Sequence, residues 1–319
     1  MQTRTSLREA LRGLDVVLRL IRSRPELELA RTADDVERIH RSGRIASLIG
    51  VEGGHMIEGS LAVLRIFQEL GARYLTLTHW DTVGWADAAT DRGEHGGLTE
   101  FGERVVREMN RLGIFADLSH VSPETMRDVL RVSRAPVIFS HSNAFAIDPH
   151  PRNVPDEILR LLPANDGVIH VNFIKEFVSP QNPAFQARRT AGLEEIHARL
   201  DDETEIARAV ADWSMKNPAP RGTIADVADH IDHIRRVAGI DCVGIGSDFY
   251  DAGKGSMAEG LDDVTRYPYL FAELLRRGYS DDDLLEIAGR NTLRAMRHME
   301  RVAAEMKAVP PDVAEERPR

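Results

Sequence analysis

Short apolar runs in this chain end on side chains capable of chemistry. The runs span 45–50, 74–78, 114–118, 136–140, 167–173 and 242–246, and just past five of them stand Glu52, His79, His120, His141 and Asp248. A strand buried on both faces of a parallel sheet reads as a continuous apolar run that passes into a turn. A titratable residue at that point breaks the pattern, and five breaks of one kind constrain the fold. Amphipathic patterns at about 57–70, 99–111, 123–132 and 155–162 separate the runs, with two more near 262–277 and 281–301. Such alternation is the grammar of βα units around a parallel sheet. In a parallel barrel the C-terminal strand ends share one rim, where residues far apart in sequence meet. The expected fold is therefore α/β, a (β/α)8 TIM-like barrel.

Eight strands complete such a barrel, and six are visible here. The chain opens on a helical pattern, LREALRGLDVVLRLIRSR, with no strand before it. The expectation is a barrel truncated at its N-terminal end, forming one incomplete domain over 1–305. The stretch 176–220 interrupts the rhythm with Pro-rich turns and a helical middle around 193–215, and reads as an insertion over one face. The Pro- and charge-rich segment 306–319 is expected to be disordered.

Composition narrows the chemistry. A net charge of −10 disfavours nucleic acid and anionic membranes as partners. No apolar run approaches the ~20 residues that span a bilayer. The N-terminus lacks a signal-peptide core, so the chain as written reads as cytoplasmic; a signal peptide lost through a mis-assigned start would make it exported. Cys242 is the single cysteine, which excludes an intramolecular disulfide and a Cys-built metal site. Any metal here is held by His and carboxylates.

Each candidate has a functional and an ordinary reading. Glu52, in LIGVEGGH, is a carboxylate bridging cations or a solvated strand-end acid. His120 in DLSHVSPETM and His141 in VIFSHSNA are zinc ligands or satisfied capping residues; their occurrence on successive strands favours ligation. Ser122 and Pro123 are plain helix-start residues. Asp248 in VGIGSDFYD is a metal ligand, a proton acceptor or a turn cap. His79 in YLTLTHWD polarises a carbonyl or packs as a structural histidine beside Trp80. Arg152 in HPRNVPDEI offers a planar fork for a carboxylate, although a loop arginine is ordinarily a surface group. His150 is less specific, and His230 and His233 read as packing residues of a helix in contact with solvent. His40, His55, His95, His170 and His298 have no partner that the sequence identifies.

Longer stretches carry a resemblance. GVEGGH, RYLTLTHWDTVGWAD, GLTEFGERVVREMNRLGIFADLSHVS, APVIFSHSNA, RNVPDEILRL, VADHIDHIRRVAG, GIGSDF and EGLDDVTRYPYLFAELLRRGYS occur in order over roughly residues 10 to 300. Together they resemble the membrane (renal) dipeptidase family, zinc peptidase family M19. The resemblance implies a distorted barrel with two Zn2+ ions and a metal-bound hydroxide that hydrolyses dipeptides, including those with a C-terminal D-residue. It further implies that Glu52 bridges the metals and that His120 and His141 ligate one zinc. His79 would stabilise the tetrahedral intermediate, Arg152 would grip the substrate carboxylate, and Asp248 would sit near the other zinc and shuttle the proton. A homodimer is compatible with the family.

The family opens on a strand ending in a His-x-Asp pair that ligates the second zinc. No such pair precedes Glu52, and the one earlier histidine is His40. The second site is therefore expected to be short of ligands. Two accounts follow: an active zinc dipeptidase whose start is mis-assigned, or a truncated, inactive or one-zinc remnant with a binding role. Within enzymes the rival is a barrel amidohydrolase acting on a cyclic amide or lactam.

Overall fold

A computed structural model describes residues 6–250 and 255–316 of the chain. Helix α1 (Ser6–Ser23) leads into strand β1 (Leu27–Leu29), helix α2 (Ala33–Arg41) and strand β2 (Ile45–Ser47). Strands β1 and β2 form a separate parallel pair with Leu27 opposite Ile45. Thr32 caps α2 by accepting from the Asp35 N–H. β1 was not expected; three residues after Pro25 are too few to show a period-2 pattern.

The main sheet begins at β3 (Ile49–Glu52). The single run expected over 45–50 is thus two strands in two sheets, divided at the exposed Leu48. A 3-10 turn (Gly54–Ile57) precedes α3 (Leu61–Leu70), followed by β4 (Ala72–Thr76), α4 (Glu100–Leu112), β5 (Phe115–Asp117), α5 (Pro123–Val132) and β6 (Ile138–Phe139). Short helices α6 (Asp156–Leu159) and α7 (Leu162–Asn165) lead to β7 (Val168–Val171). Two helices, α8 (Asn182–Arg199) and α9 (Glu203–Lys216), occupy the stretch expected as an insertion, where one helical segment was anticipated. Then come α10 (Ile224–Ala238), β8 (Val243–Ile245), α11 (Tyr267–Arg276), α12 (Asp281–Leu285) and α13 (Asn291–Glu305).

The six strands β3 to β8 are all parallel, and each pairs with the next in sequence. This is the order of a (β/α) barrel wall. Among the described residues β3 and β8 stand at its two ends without pairing to each other.

Helix boundaries follow local chemistry. Thr99 and Ser122 accept from the N–H groups of Gly102 and Thr125, and Pro123 occupies the first helical turn of α5. Thr223 with Asp226 and Ser280 with Asp283 form capping boxes.

One face of the sheet carries Val51, Leu75, Ala116, Phe139, Ile169 and Val243, which join Leu61, Leu64 and Phe67 of α3 and Val105 and Met109 of α4 in the larger core. The alternating residues Phe115, Ile138 and Val168 belong to a second cluster with Met296, Met299 and Val302 of α13. Period-2 alternation thus covers the sheet on both faces.

The segment after 306, expected to be disordered, runs through the described residues to 316 against α3 and α4. Arg104 grips Asp312 with Nε and Nη2 at 2.8 and 2.9 Å, and Arg65 donates to the Asp312 carbonyl at 2.8 Å. The Glu316 N–H donates to the Gly59 carbonyl at 2.8 Å. Charge and proline content suggested a solvated tail, but two arginines on neighbouring helices supply its partners. No helix among the described residues is long and apolar enough to cross a membrane.

The core makes a stability prediction. Phe67→Ala should lower unfolding free energy by about 3–5 kcal/mol. Ile66→Ala, one position along α3 and 55% exposed, should change it by less than about 1 kcal/mol. Urea midpoints of the two variants check the contrast.

Candidate metal centre

Because the six strands share one direction, the residues leaving their C-terminal ends lie on one rim. Glu52 is the last residue of β3, and His79, His120, His141 and Asp248 lie two or three residues beyond β4, β5, β6 and β8. Three of these come together. His120 Nε2 lies 2.9 Å from His141 Nε2, and Glu52 Oε1 is 3.3 Å from the first and 3.2 Å from the second. Among the described residues this is the one group of three or more converging donor atoms. Asp248 lies outside it but lines the same cavity.

Local backbone geometry aims these groups. His120 (φ 73°) and Asp248 (φ 60°) both occupy the left-handed region, which costs a residue with a Cβ about 1–3 kcal/mol. Gly54, two residues after Glu52, sits at a contact that admits no side chain. A Cβ there would lie 2.2 Å from the Leu77 carbonyl oxygen and 2.4 Å from Trp85 Cζ2.

Electrostatics favour a cation at the convergence. Burial pushes His120 down to about 3, outweighing the upward pull of Glu52, so the imidazole is neutral and offers a lone pair. Burial would raise Glu52, but the imidazoles of His120 and His141 beside it override this and hold the carboxyl well below its ordinary range. Two imidazole nitrogens within hydrogen-bonding distance share at most one proton between them, and a divalent cation would satisfy both along with the carboxylate. Nitrogen and oxygen donors of this kind suit zinc. The donor set therefore fits a metal.

His79 stacks obliquely on His120 with ring centroids 4.5 Å apart, and Trp80 meets His120 edge-on at 5.2 Å. Burial lowers the His79 pKa and raises that of Asp248. The cavity above the convergence holds about 580 Å³. Glu52, His79, His120, Arg152 and Asp248 all line it.

Arg152 is not the surface group that its loop suggested. It is 1% exposed, its Nη2 donates to the His141 carbonyl at 3.4 Å, and its guanidinium lies over the Phe177 ring at 5.4 Å. Nε and Nη1 are buried without a protein partner. Burial presses its pKa down to about 10, against the pull of Asp117, Asp248 and Glu52. A buried cation with two unsatisfied N–H groups is costly unless an anion completes it.

Other histidines separate from the site. His230 accepts from the Ala144 N–H at 3.1 Å through Nδ1 and bonds the Val178 carbonyl at 3.0 Å through Nε2, while His233 pairs with Asp156 at 2.6 Å. Both are buried, which corrects the expectation of solvent contact: His230 ties the segments that follow β6 and β7, and His233 the start of α6. His170 bonds the Phe139 carbonyl and Thr292, and His40 is exposed on α2.

Sequence reasoning did not single out Phe177, Ile174, Glu176 or Tyr250 as cavity residues, nor Asp117 and Ser140 behind His141. A buried acid inside the apolar run of β5 was the available signal for Asp117.

Comparison with known proteins identifies the family. A family model described as membrane dipeptidase (peptidase family M19) matches residues 1–310. The dipeptidase verJ of Clonostachys rogersoniana is 41% identical over 95% of this chain and 68% of its own length. The chain spans about two thirds of the length of the curated relatives it matches. Among solved structures, a probable dipeptidase, PvdM, from Pseudomonas aeruginosa superposes with a TM-score of 0.83 at 26% identity, covering 94% of this chain and 82% of that one. A metallo peptidase from Rhodobacter sphaeroides, liganded with a phosphinate mimic of the dipeptide L-Ala-D-Ala, gives 0.73 at 29% identity over 91% and 74%.

The close contact at Gly54 generates a prediction. Gly54→Ala should destabilise the fold by about 1–3 kcal/mol through overpacking against a carbonyl and a buried indole. Gly13→Ala, in α1 with open space around it, should stabilise by about 0.5–1 kcal/mol. Thermal melts of the pair test both signs.

Proposed function

This chain belongs to the membrane dipeptidase family, peptidase family M19, and from that premise we propose that it is a zinc-dependent dipeptidase acting in the cavity above Glu52, His120 and His141. The observation that carries the reading is the pairing of this donor group with the buried Arg152, which lines the same cavity and keeps two N–H groups without a protein partner.

In this reading Glu52, His120 and His141 would hold a zinc ion. A bound zinc supplies Lewis acidity, activating water and polarising the scissile carbonyl. Arg152 receives the substrate's free carboxylate, a planar fork meeting a planar anion. That contact fixes one end of a small substrate. A dipeptide, with its carboxylate one residue from the scissile amide, is the natural length for it. The bound mimic of L-Ala-D-Ala in the Rhodobacter sphaeroides relative supports acceptance of a C-terminal D-residue here.

His79, beside His120 and with its pKa lowered by burial, would donate a hydrogen bond to oxyanion charge at the carbonyl. Asp248 lines the same cavity with a pKa raised by burial, which suits a carboxyl that takes a proton and passes it to the leaving amine. Phe177 and Tyr250 supply the apolar wall.

Elemental analysis after dialysis, combined with turnover of L-Ala-D-Ala and its C-terminal amide, tests the proposal. Zinc should be retained by the wild-type protein and lost in Glu52→Ala and His120→Ala. The wild type should prefer the free carboxylate, and Arg152→Met should reduce that preference about 10–100-fold, the worth of hydrogen bonds between charged partners. A metal-free wild type, or equal turnover of acid and amide, would sink it.

A further inference from the structure

Asp117 ends β5 with a carboxylate that is fully buried. Its Oδ1 accepts from the backbone N–H groups of Ser119 at 3.1 Å and Ser140 at 2.8 Å. Its Oδ2 accepts from the hydroxyls of Thr76 at 2.5 Å and Ser140 at 2.6 Å. A hydroxyl carries one proton, and the Ser140 proton is committed to this carboxylate. Ser140 Oγ also lies 2.8 Å from His141 Nδ1. With its proton spent, Ser140 can only accept there, so the proton in that contact belongs to Nδ1. His141 Nε2 is then left as a lone pair facing Glu52 and the Nε2 of His120. His120 has no such support, since its Nδ1 is buried without a partner.

We infer that Asp117, acting through Ser140, is a positioning residue that fixes His141 in its Nδ1–H tautomer and so presents Nε2 to the metal. This rests on the metal reading given above. Ligating histidines commonly owe their orientation to such outer partners, whose loss costs about 10–100-fold in metal affinity. Here a serine stands between carboxylate and imidazole and relays the direction of the hydrogen bond.

The chain of donors can be reversed without removing it. In Asp117→Asn the amide oxygen can still accept from the two backbone N–H groups, and the amide nitrogen has two protons for the two hydroxyls. Ser140 then accepts from Asn and turns its own proton toward His141 Nδ1, which selects the Nε2–H tautomer.

Zinc affinity by chelator competition and the ring-nitrogen shifts of 15N-histidine-labelled protein test the inference in the wild type, Asp117→Asn and Ser140→Ala. The wild-type metal-free protein should show His141 protonated on Nδ1. Asp117→Asn should move that proton to Nε2 and weaken zinc binding by about 10–100-fold; Ser140→Ala should also weaken it. Wild-type zinc affinity in either folded variant, or an unchanged His141 tautomer in Asp117→Asn, overturns the inference. Should Asp117→Asn fail to fold, Ser140→Ala decides alone by its zinc affinity. A wild-type protein that binds no zinc overturns the metal reading instead, while the tautomer of the metal-free protein still decides this one.

Discussion

A common strand direction underlies the rest of this structure. Six parallel strands, each beside the next in sequence, bring all their C-terminal ends to one rim. A strand covered on both faces has little room for an unpaired charge along its length. The positions where the chain leaves the sheet are therefore where acids and imidazoles from distant segments can meet. Glu52, His120 and His141 approach within 3.3 Å through that constraint.

The rim is left electrostatically unfinished in two places. At the floor, an ionised carboxylate faces two imidazole nitrogens, one of them held neutral by burial. At the wall, a guanidinium removed from water keeps two N–H groups without protein partners. Each arrangement costs folding free energy unless a ligand completes it, and the left-handed backbone at His120 and Asp248 adds to that cost. Unsatisfied groups of opposite charge demand lining one cavity are what a small substrate with a carboxylate and a polarisable carbonyl would complete. The supporting network is more ordinary: Asp117 ties β4, β5 and the end of β6 together, and buried histidines on α10 brace the loops.

Much of this was legible in the residues. Strand positions followed from apolar runs, the start of α5 from Ser122 and Pro123, and the rim residues from the repeated break at strand ends. The misses have local causes. β1 is too short for periodicity, and the run at 45–50 is continuous in composition although the backbone divides it between two sheets. Segment 306–316 looked like a solvated tail because its partners, Arg65 and Arg104, lie more than 200 residues away. Arg152 carried weak evidence as a loop arginine, and only its burial under Phe177 distinguishes it from a surface residue.

Taken alone, the sequence determined the family, the α/β class, the exclusion of a cysteine metal site and the residues that reach the rim. These depend on local patterns, periods of two and 3.6 residues and the turn chemistry between them, which a linear chain displays directly. The tertiary structure decided which of those residues converge, that Asp248 stands apart from the converging donors, that Arg152 is buried, and that Asp117 reaches His141 through Ser140. Those facts depend on the register of strands remote in sequence. A shift of one residue would turn each side chain to the opposite face, so no local pattern could specify them.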